Sequence, residues 1–230
     1  LKPFTTYNFT ICSINSIGSA CTDGTFAVKT DEDVPGAPTN VKLEVFSSTR
    51  LRLSWDSPSE KNGIIIAYYI KWRIVRNDTG HTVHGQLLTA RKAETAREKI
   101  IELQDLEPFS VYNVSLNAFT GAGNGTVVNK SNRTGESTPG TSDNVKLLSL
   151  SSSQLYLTWQ VPEDPNGIIQ GYVVTWKKVI NDRDENDEGV LEQSTTEGNV
   201  TLFTIRGLEP YSIYNVSLNA FTVAGNGTVV

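Results

Sequence analysis

Three features of the 230-residue chain predict an all-β protein built from tandem antiparallel β-sandwiches, arranged as beads on a rod. A phrase recurs at a domain-sized interval: "LKPFTTYNFTICSINSIGSACTDGT" at Leu1, "LEPFSVYNVSLNAFTGAGNGTVV" at Leu106 and "LEPYSIYNVSLNAFTVAGNGTVV" at Leu208, spaced by 105 and 102 residues. Apolar and polar residues alternate in short runs bounded by Gly, Pro and Asn, the period of a strand with one buried face. No stretch has convincing 3.6-residue apolar spacing; "RKAETAREK" from Arg91 has a helical composition and nothing more. A unit of ~100 residues can bury its own core, whereas solenoid units of roughly 20–50 residues cannot.

The elements of each repeat follow in order. Leu51, Leu53 and Trp55 alternate with polar residues, as do Leu155, Leu157 and Trp159, so each set marks a strand whose tryptophan points inward. Pro58 with Asn62-Gly63, and Pro162 with Pro165, Asn166 and Gly167, supply turn chemistry, because proline presets φ and Asn-Gly accepts positive φ. Tyr68, Ile70 and Trp72, and likewise Tyr172, Val174 and Trp176, form the inward side of the next strand. In the repeated phrase Tyr112, Val114, Leu116 and Ala118 share one parity, while Asn113, Ser115 and Asn117 share the other. "GAGNG" and "VAGNG" then read as glycine-rich hairpin turns, leading in the first case to a last strand around Thr126, Val127 and Val128.

These landmarks carry a resemblance. A Trp on the second strand, "NGxIxxYxVxW" on the third, then "LxPxxxYxVxLxA" and a glycine-rich turn are similar to the fibronectin type III domain, an immunoglobulin-like sandwich. The resemblance implies three units: residues 1–33 as the C-terminal part of one domain, 36–135 as a complete domain, and 138–230 as a domain lacking its last strand. Tyr7, Tyr112 and Tyr214 resemble the tyrosine corner, in which the hydroxyl satisfies a backbone group where the chain crosses between sheets. The proline-bearing residues 31–38 and 134–143 stand where the links between domains are expected, short enough to limit swing. "NGIIIAYYIKW" and the sequon-rich repeats further resemble ectodomains of receptor-type tyrosine phosphatases and neural cell-adhesion receptors. The chain therefore reads as a segment of something longer, with no signal peptide and no apolar run of the ~18–20 residues that a membrane helix needs.

Asn-x-Ser/Thr sequons occur at Asn8, Asn77, Asn113, Asn124, Asn129, Asn132, Asn199, Asn215 and Asn226. Chance would supply roughly 3 or 4, so the excess points to a secreted, N-glycosylated protein. Asn8, Asn113 and Asn215 fall at one place in the repeat, as do Asn124 and Asn226 in the hairpin tip. Glycans there would cover one face and direct a partner to the opposite sheet. Cys12 and Cys21 flank the turn of the first unit, where a cross-strand disulfide is expected.

Net charge is −5, divided as −2 over residues 1–35, +4 over 36–135 and −7 over 136–230. No global basic surface for nucleic acid follows. The middle unit carries a basic group, Arg73, Arg76, Arg91, Lys92, Arg97 and Lys99, which is a candidate site for a sulfated glycosaminoglycan, against the plainer reading of a solvated edge. His81 and His84 in "HTVH" are better read as an exposed hairpin than as metal ligands. "NDRDENDEG" from Asn181 is better read as a solvated acidic loop than as a calcium site. No Ser-His-Asp or Cys-His grouping is discernible, and the tripeptide RGD is absent, Arg206 being followed by Gly-Leu. The expectation is a non-catalytic extracellular adhesion or receptor segment, the ectodomain of a single-pass membrane protein, that binds a protein ligand or a second copy of itself. It needs no cofactor and takes no small-molecule substrate. The alternative is the stalk of a receptor-type tyrosine phosphatase whose catalytic domain lies elsewhere.

Overall fold

A computed structural model describes residues 1–94, 99–179 and 190–230. Every regular element in it is a strand. The first unit holds β1 (Thr6–Phe9), β2 (Cys12–Ile14), β3 (Ser19–Cys21) and β4 (Phe26–Lys29), pairing β1 with β4 and β2 with β3, both antiparallel. Phe9 and Phe26 stack at 5.8 Å, yet both are exposed, because nothing in the described chain lays a second sheet over them.

The middle unit contains β5 (Thr39–Ser47), β6 (Arg50–Asp56), β7 (Ala67–Arg76), β8 (Leu88–Ala93), β9 (Ile100–Leu103), β10 (Val111–Thr120), β11 (Gly123–Asn124) and β12 (Val128–Arg133). They form two antiparallel sheets, β5-β6-β9 and β8-β7-β10-β12, with β11 pairing the far end of β10. The last unit repeats this with β13 (Asp143–Ser151), β14 (Gln154–Gln160), β15 (Gly171–Val179), β16 (Glu192–Glu197), β17 (Leu202–Arg206), β18 (Ile213–Thr222) and β19 (Gly225–Asn226). Its sheets are β13-β14-β17 and β16-β15-β18-β19, and Val230 exchanges backbone hydrogen bonds with Leu218.

Alternation explains the two cores. Leu51, Leu53 and Trp55 from β6 meet Tyr68 and Ile70 from β7 and Tyr112, Val114 and Leu116 from β10, all nearly inaccessible. Leu157, Trp159, Tyr172, Val174, Ile205 and Leu218 do the same in the last unit. In both, the tryptophan packs on the inward tyrosine of the next strand, at 5.3 Å for Trp55 and Tyr68 and 5.1 Å for Trp159 and Tyr172. Asn62 and Asn166 adopt φ of 53° and 52°, the positive values for which Asn is suited. The last strand of the middle unit differs from expectation. It begins at Val128, because the Thr126 N–H leaves the hairpin to donate to the Pro35 carbonyl of the preceding link.

Candidate interaction surfaces

The tyrosine at each corner closes the same bond. The hydroxyls of Tyr7, Tyr112 and Tyr214 accept the N–H of Lys2, Glu107 and Glu209 at 2.6, 2.8 and 3.0 Å. Burial pushes the Tyr112 phenol upward from its ordinary ionisation range. Just before each corner Phe4, Phe109 and Tyr211 sit at φ of 48°, 47° and 56°, a conformation a bulky residue adopts only when its surroundings impose it.

The links are stitched to the domain that follows them. In the first, Asp33 N–H donates to the Asn62 carbonyl, Gly36 N–H to the Glu60 carbonyl, and the Thr120 hydroxyl to the Asp33 carbonyl. In the second, Ser137, Gly140 and Thr222 make the equivalent bonds to Asn166, Asp164 and Ser137. Glu32 adds a clamp, its carboxylate accepting the N–H of Ile64 at 2.8 Å and of Gly121 at 3.1 Å. Glu136 stands over Gly167 as Glu32 stands over Gly63, but its buried Oε2 has no hydrogen-bond partner among the described residues, and Asp78 from the middle unit accepts the Asn166 N–H at 3.1 Å. Pro35 and Pro139 are buried, so these segments belong to the sandwiches they introduce.

The outer faces differ between sheets. Along β10 and its neighbours the outward residues of the four-stranded sheet are Tyr69, Lys71, Arg73, Arg91, Asn113, Ser115 and Asn129. Sequons Asn113, Asn124 and Asn129 are therefore brought together on this sheet, and Asn215 and Asn226 repeat the placement. Asn8 is exposed on β1, Asn77 caps the hairpin after β7 by accepting the His81 N–H at 2.8 Å, and Asn199 lies in the turn before β17. Asn132 is different: it shares the inward parity of Tyr112 and its amide nitrogen donates to the Leu43 carbonyl at 2.9 Å, tying the two sheets together.

The basic group divides. Arg73 and Arg91 share the outer face with Lys71, a residue that sequence reading passed over and that parity with Tyr69 and Arg73 would have found. Arg76 ends β7 beside Thr82. Lys92 turns inward to the Ile100 carbonyl and Lys99 pairs with Glu94 at 3.4 Å. Arg97 and the acidic run 181–189 lie outside the described residues. Among the described residues no three His, Cys, Asp or Glu side chains gather as metal ligands, and His81 bonds Thr79 through its ring at 2.8 Å. Cys12 and Cys21 are register partners joined by a disulfide.

No sequon falls within the strands of either three-stranded sheet. In the middle unit the outer face of that sheet is charged: Glu102 bridges Arg50 at 3.5 Å and Arg52 at 2.8 Å, and both guanidinium groups lie over Phe46. On the same outer face of the last unit stand Leu148, Leu150 and Tyr156, at the positions of Glu44, Phe46 and Arg52, together with Leu202, at the position of Ile100, and Leu148 and Leu150 are each 60% exposed.

Two sandwiches of one topology, each with a Trp-Tyr core pair, a tyrosine corner and a docked link, define a tandem of immunoglobulin-like modules. The chain belongs to the fibronectin type III family: the model of the fibronectin type III domain matches residues 36–134 and 137–229. It is 30% identical to cell adhesion molecule DSCAML1 of Mus musculus, over 99% of this chain and 11% of that protein. It is 28% identical to phosphatidylinositol phosphatase PTPRQ of Homo sapiens, over 99% and 9%, and 27% identical to neural cell adhesion molecule L1 of Takifugu rubripes, over 99% and 18%. The chain thus spans about a tenth to a fifth of the length of these curated relatives. A crystal structure of chicken CNTN1 FN1-FN3 domains aligns with 99% of this chain and 75% of its own, at a TM-score of 0.42 and 18% identity.

Proposed function

We propose that this chain is an extracellular segment of a cell-adhesion receptor that binds protein and sets spacing, with no catalytic work of its own. The observation that carries the reading is the asymmetry of the faces. Sequons gather on the four-stranded sheets, and the sequon-free three-stranded sheet of the last unit offers Leu148, Leu150, Tyr156 and Leu202 to a partner. Residues 1–33 are read as the end of a preceding domain of the same kind, which would supply the sheet that covers Phe9 and Phe26. Adhesion molecules among the relatives support an extracellular, receptor-borne setting. The phosphatase among them supports the second reading, a stalk in front of a catalytic domain.

The test has two arms. The chain secreted from a glycosylating host is weighed before and after N-glycan removal, and a mass loss is expected at several sequons; an unchanged mass would remove the extracellular reading. Beads coated with the chain are then offered to cells and to each other. Leu148→Glu with Leu150→Glu, both surface positions, is expected to cut capture at least tenfold while leaving the melting temperature unchanged; retained capture would move the partner to another face.

A further inference from the structure

We propose that the N-linked glycan of Asn124 is a packed part of the middle sandwich, its innermost sugar seated in a groove on the outer four-stranded sheet. The inference rests on the glycosylated, extracellular reading above and deepens it. The groove has a volume of about 450 Å³ and is lined by Tyr69, Lys71, Thr89, Asn117, Val127 and Asn124 itself. The acceptor residue is therefore one of its walls.

The chain orients the acceptor. Asn124 on β11 faces Phe119 on β10 as a register partner, and residues directly opposite share a sheet face. Phe119 in turn meets Tyr69 edge-on at 5.7 Å. Asn117, only 8% exposed, donates its amide N–H to the Asn124 carbonyl oxygen at 3.1 Å. That bond turns the other end of the amide outward, so the nitrogen to which a sugar is joined has no hydrogen-bond partner among the described residues.

The lining suits a sugar. An N-acetylhexosamine presents a face of C–H groups with slight positive charge, which the negative face of an aromatic ring attracts, and a rim of hydroxyls. Here the Tyr69 ring, braced edge-on by Phe119, and Val127 offer the apolar surface, while the Lys71 ammonium and the Thr89 hydroxyl offer polar contacts. The last sandwich supplies a built-in control. It keeps the sequon and the pairing of Phe221 with Asn226, but Val173 replaces Tyr69 and Thr175 replaces Lys71, with the Thr175 hydroxyl already bonded to Ser217. Among the described residues Asn219, the equivalent of Asn117, donates to the Ala220 carbonyl and not to Asn226. A glycan at Asn226 would therefore find neither the aromatic ring nor the ammonium that Tyr69 and Lys71 supply at Asn124.

The experiment uses the full chain from a glycosylating host, with occupancy read by glycopeptide mass spectrometry. Thr126→Ala, which deletes the sequon, is expected to lower the melting temperature of the middle sandwich by roughly 4–8 °C. It should also speed hydrogen exchange in the hairpin where Gly125 N–H meets the Ala118 carbonyl. Enzymatic trimming to the single innermost sugar should leave both unchanged, and Thr228→Ala should move neither. Tyr69→Val, copying the last sandwich, should abolish the difference between the occupied and sequon-deleted forms. An occupied Asn124 whose loss shifts nothing, or shifts as much in Tyr69→Val, overturns the proposal while leaving the extracellular reading intact. Asn124 found bare on a chain glycosylated elsewhere overturns it at its premise.

Discussion

Tyr68 and Tyr172 occupy one position in two copies of the fold, both wholly buried, and differ in what their hydroxyls meet. Tyr68 donates to Ser57 at 3.1 Å, and Ser57 continues to Glu94, which is paired with Lys99. Val161 stands where Ser57 stands, and the Tyr172 hydroxyl, lying by the Trp159 indole, makes no hydrogen bond of good geometry among the described residues. Removing a bonded hydroxyl costs about 1 kcal/mol and strands its partner, whereas removing an unbonded buried one relieves a desolvation penalty. Tyr68→Phe should therefore destabilise its sandwich by about 1 kcal/mol, and Tyr172→Phe should be neutral or stabilising. Denaturant midpoints of the two variants decide the matter, and equal losses would refute the assignment.

At the scale of elements, the hairpin that carries Asn124 also holds the link. A Cβ added to Gly125 would lie 2.3 Å from the Pro35 carbonyl oxygen, and one on Gly227 would lie 2.5 Å from that of Pro139. Both contacts are to backbone, so neither can yield by a rotamer change. Gly125→Ala and Gly227→Ala should each cost about 1–3 kcal/mol, the range for overpacking a close contact. They should also open the neighbouring link to limited proteolysis. Gly18→Ala, which meets nothing within 4 Å, should do neither. Proteolysis of the links at the unmutated rate would show that the hairpin does not hold them.

For the whole molecule, three buried phenols set the alkaline limit. Burial raises the ionisation of Tyr68, Tyr112 and Tyr172 above the ordinary value of 10.0. Below that value both folded and unfolded chains keep the proton, so these groups add no pH dependence. Above it the unfolded chain releases protons that the folded chain retains, and stability falls as pH rises. Denaturant midpoints should hold steady up to about pH 10 and drop beyond it, with tyrosinate absorbance from these residues appearing only on unfolding. Early ionisation in the folded state would contradict their burial. The two cores share no residue, so each sandwich should show its own transition.

The sequence by itself determined the architecture: period-2 alternation places Leu53, Trp55, Tyr68 and Val114 inward whatever the chain does elsewhere, and Asn62 and Asn166 already carried the turn chemistry of their loops. Parity likewise assigned Asn113 and Asn215 to an outer face, since a strand has only two sides. Tertiary structure alone decided which outward residues become neighbours. Lys92 lies beside Arg91 in the chain but turns to Ile100, while Lys71 and Arg91 meet on one sheet because β7 and β8 pair. Asn132 reads as one sequon among nine until β12 places its amide on Leu43. The physical reason is that alternation is a local property of each strand, whereas register between strands, and the docking of the links on glycines far along the chain, arise only when the sheets close.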